Sequence, residues 1–307
     1  MHWVPPDGGE FYRPPPKGRI ARGLELTRKS WELLCGERRL WVLPAISAVA
    51  VAVAAAAIFV PAAFLLRHHG WKISVLVAST AAALPLTLIS TFFNVAFLAT
   101  VDAHARGREL GIRDALRFAR SRFRAILAWS LLATLVGSAL RALENVNGAD
   151  LVARLFSALA GLAWSLATYF VIPILAMEQL SVRESMKRSA QVFRRQWGPQ
   201  VTGDLVISAF FGILVMPGLF TAFAGYTTLS NGNTAAGVIV VAIAVLLVAP
   251  VLVMSNAITQ VFSLAVYRHA MGAPLPTPFT EEDVRAAFKP KKPPFWRRWR
   301  RKGAEKE

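Results

Sequence analysis

The sequence predicts an all-α, polytopic membrane helix bundle with six transmembrane helices and amphipathic helices on its cytoplasmic side. Composition is the first reason, because 55% of the 307 residues are apolar and only 17% are charged, whereas a soluble domain has roughly 25% charged residues. The second reason is that the apolar residues gather into six stretches. Each is close to the roughly 20 residues that a helix needs to cross a bilayer.

The six predicted spans are not equally strong. They run over residues 40–66, 73–101, 126–143, 155–177, 201–223 and 235–266. The third is the weakest, because Trp129 and Ser130 interrupt it and Arg141 lies in its last turn. The sixth is too long for one straight crossing, and we expect Pro250 to divide it.

The loops between the spans predict the orientation of the chain. Of the 35 lysines and arginines, 31 fall on one side of the predicted spans and 4 on the other. Cytoplasmic loops carry the excess of Lys and Arg. We therefore predict a multi-pass protein of the bacterial inner membrane with both termini in the cytoplasm.

Three regions follow from this topology. Residues 1–18 form a proline-rich leader that we expect to be disordered, residues 19–272 the six-span membrane domain, and residues 273–307 a basic, aromatic cytoplasmic tail. A sequence pI of about 11.1 would suggest nucleic acid as the partner of a soluble protein. Here the bases cluster beside apolar runs, so anionic lipid is the favoured partner and nucleic acid is not.

Two cytoplasmic loops resemble each other at an ungapped offset of 70 residues. Residues 111–117 align with residues 181–187, and both segments predict basic amphipathic helices of the kind that lie at a membrane interface. In the first, the apolar face comprises Ile112, Leu116, Ala119 and Phe123. The basic candidates for contact with lipid head groups are Arg113, Arg117, Arg120, Arg124, Arg183, Lys187, Arg194 and Arg195.

A second match joins the ends of the second and sixth spans. Residues 90–107 align with residues 255–272 at an offset of 165, sharing the histidines at 104 and 269 and the glycines at 107 and 272. Together the two matches suggest three copies of one unit, an interfacial helix followed by two spans. The alternative is that the similarity is fortuitous, so the threefold repeat of helical hairpins stays a hypothesis at this point.

The same two spans carry polar residues at helical spacing. The candidates inside the membrane are Ser90, Asn94, Asn256, Thr259 and Gln260. Such side chains commonly form hydrogen bonds between helices, and the alternative is a small polar cavity. Asp204, near the start of the fifth span, is expected to reach back to the interface rather than to carry protons. We find no catalytic constellation, no cofactor motif and no metal-ligand spacing, and therefore predict no catalytic residue, cofactor or metal.

Two segments also suggest a family. Residues 169–178, followed by Ser185, Ser189 and Trp197-Gly198, together with residues 261–270, resemble a pattern in six-span bacterial membrane proteins of unknown function. These are similar to the membrane domain attached to some glycerophosphoryl diester phosphodiesterases. The resemblance implies a membrane scaffold. We expect no phosphodiesterase domain in this chain, so no catalytic residue is carried over.

The functional prediction follows from topology and charge. We predict a non-catalytic integral membrane protein that engages anionic lipid, or a membrane or cytoplasmic partner protein, at the cytoplasmic leaflet. The alternative is a transporter of a small molecule or lipid, with a polar site between transmembrane helices 2 and 6. A membrane-embedded lipid enzyme is least favoured, because no acid–base pair is visible in the sequence.

Overall fold

The computed structural model describes residues 19–65, 71–144, 151–197, 203–276 and Phe279. Within these residues every regular element is a helix. They comprise a 3-10 helix, Arg38–Trp41, and the α-helices α1 (Arg19–Gly36), α2 (Val42–Leu65), α3 (Trp71–Ala105), α4 (Ile112–Ser121), α5 (Phe123–Glu144), α6 (Leu151–Thr168), α7 (Val171–Met177), α8 (Val182–Trp197), α9 (Gly203–Ser230) and α10 (Thr234–Ala270). The predicted leader at residues 1–18 and most of the predicted tail lie outside the described residues.

Six segments are long and apolar enough to cross a membrane, which confirms the predicted number of spans. They are Arg39–Ala62, Val77–Ala105, Phe123–Leu143, Leu155–Met177, Phe210–Thr228 and Ala235–Ala270. Large apolar side chains on their outer faces are exposed, among them Ile213, Phe220 and Leu246. An apolar surface of this extent is typical of contact with lipid rather than water. The fold is that of a multi-pass membrane helix bundle.

One proline acts differently from the prediction, and the break falls in another span. Pro250 does not divide the sixth span, because α10 continues through it from Thr234 to Ala270. The fourth span is the one that breaks, at the turn between α6 and α7. Pro173 lies four residues after Tyr169, and a proline ring clashes with the carbonyl four residues before it. The neighbouring Phe170 backbone N–H donates instead to the Ser189 hydroxyl at 3.1 Å.

The long helices α3 and α10 share two features at the offset of 165. Each contains one internal proline, Pro85 in α3 and Pro250 in α10. Each ends just before a glycine in the left-handed region, with φ of 69° at Gly107 and 65° at Gly272. Glycine adopts this backbone conformation without the steric cost of a Cβ, and it commonly follows the last turn of a helix. The two helices therefore match in the position of their proline and in the way they end.

The hydrogen bonds that close these two helices also correspond. The backbone N–H of Arg108 donates to the Ala103 carbonyl at 2.9 Å, and at the matching positions Ala273 donates to Arg268 at 2.9 Å. Gly107 donates to His104 at 2.9 Å, as Gly272 donates to His269 at 3.1 Å. The two histidines thus occupy matching last turns, as the sequence predicted.

Contacts between helices follow a cyclic order. The interfacial helix α4 packs on α3, α8 packs on α6 and α7, and α1 packs on α9 and α10. Each interfacial helix therefore lies against the hairpin that precedes it, and α1 closes the ring against the last hairpin. At the centre α3, α7 and α10 contact one another, and most residues in the stretches 95–101, 170–176 and 257–267 are buried. This order is what a threefold repeat of helical hairpins predicts.

Candidate functional site

One end of the bundle gathers most of the described charge. We call it the basic end, meaning α1, α4 and α8 together with the last turns of α3, α7 and α10. Apolar residues from all of these elements share one buried cluster, which includes Leu34, Ala119, Val192 and Tyr267. The interfacial helices therefore sit on a packed core rather than lying loose at the bundle's edge.

The described basic candidates all point away from this core. The exposed ones are Arg113, Arg117, Arg120, Arg124, Arg183, Lys187 and Arg194. Arg195 belongs to α8, but its side chain lies outside the described residues. Arg117 forms an exposed ion pair with Asp114 at 2.9 Å, three residues away on α4. Exposed pairs of this kind contribute little to stability.

Small side chains explain why the bases point outward. Ala115 and Ala119 on α4 are fully buried, and at the offset of 70 Ser185 and Ser189 on α8 are fully buried as well. At 100° per residue, positions 113, 117 and 120 of α4 fall on the opposite side of that helix from Ala115 and Ala119. Ile112 and Phe123 are 38% and 42% exposed, so part of the predicted apolar face is free to meet lipid.

The helix α8 begins with a capping box. The Glu184 carboxylate accepts from the Ser181 backbone N–H at 3.0 Å and from its hydroxyl at 2.7 Å, while the Glu184 N–H donates to the Ser181 hydroxyl at 3.4 Å. These bonds satisfy N–H groups that a helix start leaves without an intrahelical partner. They also hold the pKa of the Glu184 carboxyl below its ordinary value. The first turn of α8 is thereby fixed at the basic end.

A charged network at the basic end was not foreseen from the sequence. The Arg268 guanidinium in the last turn of α10 pairs with the Asp102 carboxylate in the last turn of α3, and their side chains are only 4% and 13% exposed. Arg106 pairs with the other oxygen of Asp102 at 2.9 Å. The predicted second span ended at 101, whereas the helix continues to Ala105. Asp102 therefore lies inside the span and not in a loop.

Glu178 forms a second part of the network, just beyond α7. Its carboxylate accepts a hydrogen bond from the Tyr267 hydroxyl and lies 3.4 Å from the Arg188 guanidinium. Arg188 comes from α8 and Tyr267 from α10. Three elements are therefore tied together at one carboxylate.

Arg122 stands at the junction of α4 and α5. Its guanidinium donates to the backbone carbonyls of Leu175 at 3.2 Å and Glu178 at 2.5 Å. It also lies over the Phe118 ring, 5.1 Å from the ring centroid. The carbonyls at a helix C-terminus carry partial negative charge, so Arg122 caps α7. Burial lowers the pKa of its guanidinium from the ordinary value.

The polar residues in the second and sixth spans are partly brought together. The Asn256 side-chain amide on α10 donates to the Asn94 side-chain carbonyl on α3 at 2.9 Å. Gln260 is buried, and its carbonyl oxygen has no hydrogen-bond partner among the described residues. Ser90 and Thr259 are half-buried on the same two helices. The side chain of Asp204, by contrast, lies outside the described residues.

Comparison with known proteins places the chain in a family. A model described as a family of unknown function, DUF6159, matches residues 85–274, which is more than half of the chain. The protein belongs to DUF6159. In this DUF6159 member the matched region runs from Pro85 to just beyond the end of α10, and it includes the whole charged network. No curated protein and no solved structure matches the chain. The comparisons thus lend no support to the resemblance with the phosphodiesterase membrane domain.

Sequence reasoning missed Asp102, Arg122, Glu178, Tyr267 and Arg268. One signal could have found part of this set. Asp102 and Arg268 both lie in the segments matched at an offset of 165. The match predicts that the two segments end at the same depth in the membrane. Opposite charges at one depth are candidates for pairing. No comparable signal existed for Arg122, because its partners are backbone carbonyls about fifty residues away.

Proposed function

We propose that this protein is a non-catalytic membrane protein whose basic end binds anionic phospholipid at the head-group plane. We further propose that this end faces the cytoplasm of a bacterial cell. The observation that carries the proposal is the repeated set of exposed bases on α4, the first turn of α5 and α8. They extend outward from helices whose opposite face is packed on the spans. The exposed side chains of Ile112 and Phe123 lie between the basic face and the packed face. Apolar side chains at this position are suited to contact the boundary between lipid head groups and acyl chains.

The energetics favour lipid over water as the neighbour of these side chains. A Lys or Arg near an anionic membrane surface contributes about 1 kcal/mol of attraction, and salt screens part of it. Seven described bases, three on α4, one in the first turn of α5 and three on α8, therefore supply several kcal/mol in total, by the same estimate. The apolar spans hold the protein in the bilayer, so this attraction selects which lipids surround the basic end.

The test is a lipid count. The protein is purified in nanodiscs formed from native membranes, and bound phosphatidylglycerol and cardiolipin are quantified by mass spectrometry. One variant changes all eight candidates, including Arg195, to Gln. Its matched control changes the seven arginines among them to Lys, which keeps every positive charge. We expect the Gln variant to carry fewer anionic lipids and the Lys control to match the original protein.

Two results would oppose the proposal. An unchanged count in the correctly inserted Gln variant would mean that these bases act only as topology signals. An equal loss in the Gln variant and the Lys control would mean that guanidinium geometry, rather than charge, holds the lipid. Correct insertion is checked separately by protease accessibility of the loops.

Orientation has its own test. In a Cys35→Ser background, Gly111→Cys places a thiol at the basic end and Asn231→Cys places one in the exposed turn between α9 and α10. An impermeant thiol reagent applied to intact cells should label the second variant and spare the first. Labelling of Gly111→Cys alone would reverse the proposed orientation.

A further inference from the structure

A crevice of about 460 Å³ opens at the basic end between α3, residues 106–110 that follow it, the second half of α4 and the end of α7. This volume lies within the roughly 300–1,000 Å³ that ligand sites occupy. Its principal lining residues are Asp102, Arg106, Arg108, Phe118, Arg122 and Met177. The turn at Gly107, with its φ of 69°, sends the chain across the crevice and brings Arg106 and Arg108 to the same opening.

The positive charges in this crevice exceed the negative ones. Asp102 is already paired with Arg268 and Arg106, and Glu109, the other carboxylate in the lining, is paired with Arg39. Both acids are therefore neutralised by their own partners. Any further cation in the lining must find its counter-charge elsewhere.

Arg108 and Arg122 are those further cations. Among the described residues neither contacts a carboxylate. Arg122 is half-buried and donates only to neutral carbonyls, and its lowered pKa reflects this desolvation. Carbonyl dipoles offset the desolvation of such a partly buried charge less fully than an ionic partner does, and an anion in the crevice would supply that partner.

The rest of the crevice wall is apolar. Phe118 and Met177 line it together with alanines 99 and 176 and Leu110. Guanidinium groups beside an apolar wall suit an amphiphile better than a fully hydrated ion. Arginine is also the residue best shaped for phosphate, because its planar fork of donors matches two phosphate oxygens.

We propose that this crevice binds the phosphate ester of one anionic phospholipid, with Arg108 and Arg122 as its ligands. The glycerol and ester region lies against Phe118 and Met177. The inference deepens the proposed function and rests on it, because it assumes anionic lipid at the basic end. It differs in predicting one discrete, tightly held lipid in addition to the looser lipid at the exposed bases.

The experiment is native mass spectrometry of the full-length protein titrated with phosphatidylglycerol in detergent. Arg108→Gln removes a ligand whose side chain is exposed and has no bonding partner among the described residues, so the fold should survive. Its matched control is Arg28→Gln, an exposed arginine on α1 that pairs with Glu32. We expect Arg108→Gln to weaken the tightest phosphatidylglycerol site about tenfold, as the loss of one charged hydrogen bond implies, and the control to leave it unchanged.

A second variant changes the volume of the crevice and leaves its charge unchanged. Ala103 lines the crevice, and Ala103→Leu should fill part of it and weaken the same site while every arginine remains. Equal affinity in Arg108→Gln and Arg28→Gln would overturn the crevice, and so would full affinity in Ala103→Leu. A thermal melt of each variant identifies any loss that comes from misfolding.

Soluble glycerol 3-phosphate distinguishes the two sources of the phosphate ester. If a lipid is the ligand, millimolar glycerol 3-phosphate leaves bound phosphatidylglycerol in place. Displacement of the lipid would assign the crevice to a free phosphate ester and overturn the lipid assignment.

The variant with eight Gln changes separates the crevice proposal from the proposed function. A lowered total lipid count with the tightest phosphatidylglycerol site intact supports both. An unchanged total lipid count refutes the proposed function alone.

Discussion

The Arg268 guanidinium forms a buried ion pair with the Asp102 carboxylate and so joins the last turn of α10 to the last turn of α3. At the offset of 165, Arg268 corresponds to Ala103 and Asp102 to Tyr267. The pair therefore connects two equivalent helices through residues that are not themselves equivalent. The apolar core follows the repeat, while the charges distinguish one copy from another.

Breaking this pair should destabilise the protein strongly. Asp102→Ala removes the carboxylate that pairs with the buried Arg268 guanidinium. It also leaves Arg106, the second cation paired with Asp102, close by. Removing one partner of a buried ion pair costs about 3–5 kcal/mol. We expect a loss of this size in unfolding by SDS titration. A matched control is Asp114→Ala, which removes the exposed partner of Arg117 and should cost less than about 1 kcal/mol.

The double variant Asp102→Ala with Arg268→Met tests whether the loss of stability in Asp102→Ala comes from the buried Arg268 charge that has lost its partner. Replacing both members of a buried pair with apolar groups is often close to neutral. The double variant should therefore recover most of the stability that Asp102→Ala loses. Equal instability of the single and double variants would contradict this explanation.

The Asn94–Asn256 hydrogen bond leads to a second prediction, which bears on the transporter alternative. If the two amides serve to join α3 and α10, Asn94→Ala and Asn256→Ala should be coupled in a double-mutant cycle. Interhelical hydrogen bonds in membranes contribute about 0.6 kcal/mol on average and at most about 1.7. Thr259→Val, one turn further along α10, should show no coupling with Asn94→Ala. Zero coupling between the asparagines would favour a role in binding a substrate.

The capping box of α8 predicts a dependence on pH. The folded state holds the pKa of Glu184 below its unfolded value through bonds to Ser181. Such a group stabilises the protein above the unfolded pKa, which is about 4.3 for Glu, and the contribution is lost as pH falls through the lower, folded pKa. Glu184→Gln should therefore lower the melting temperature at neutral pH. The difference from the original protein should shrink as the pH falls below the unfolded value, and a constant difference would exclude this origin.

Much of the fold could be predicted because its signals are local. Long apolar runs identify six spans, and small residues at matching positions, such as Ala119 and Ser189, follow from helical periodicity. The outcome for the prolines could not be predicted in the same way. Pro250 and Pro173 carry the same local constraint, yet only the span with Pro173 breaks, where Ser189 of α8 accepts the Phe170 N–H.

The charged network depends on distances in sequence that no local pattern contains. Asp102 and Arg268 are 166 residues apart, and Tyr267 and Glu178 are 89 apart. That these residues are close in space becomes evident only once the cyclic packing of the three hairpins is known. The exposed bases are the opposite case, since a loop charge count and a helical wheel suffice to place them.

Electron paramagnetic resonance of spin-labelled lipids tests the central claim most directly. The protein is reconstituted at one lipid-to-protein ratio with either spin-labelled phosphatidylglycerol or spin-labelled phosphatidylcholine, and the motionally restricted fraction of each is measured. At low salt the restricted fraction should be larger for phosphatidylglycerol, and the excess should shrink at about 1 M salt, where charges are screened beyond about 3 Å. Equal fractions for the two lipids at low salt would contradict the proposal that the basic end selects anionic lipid.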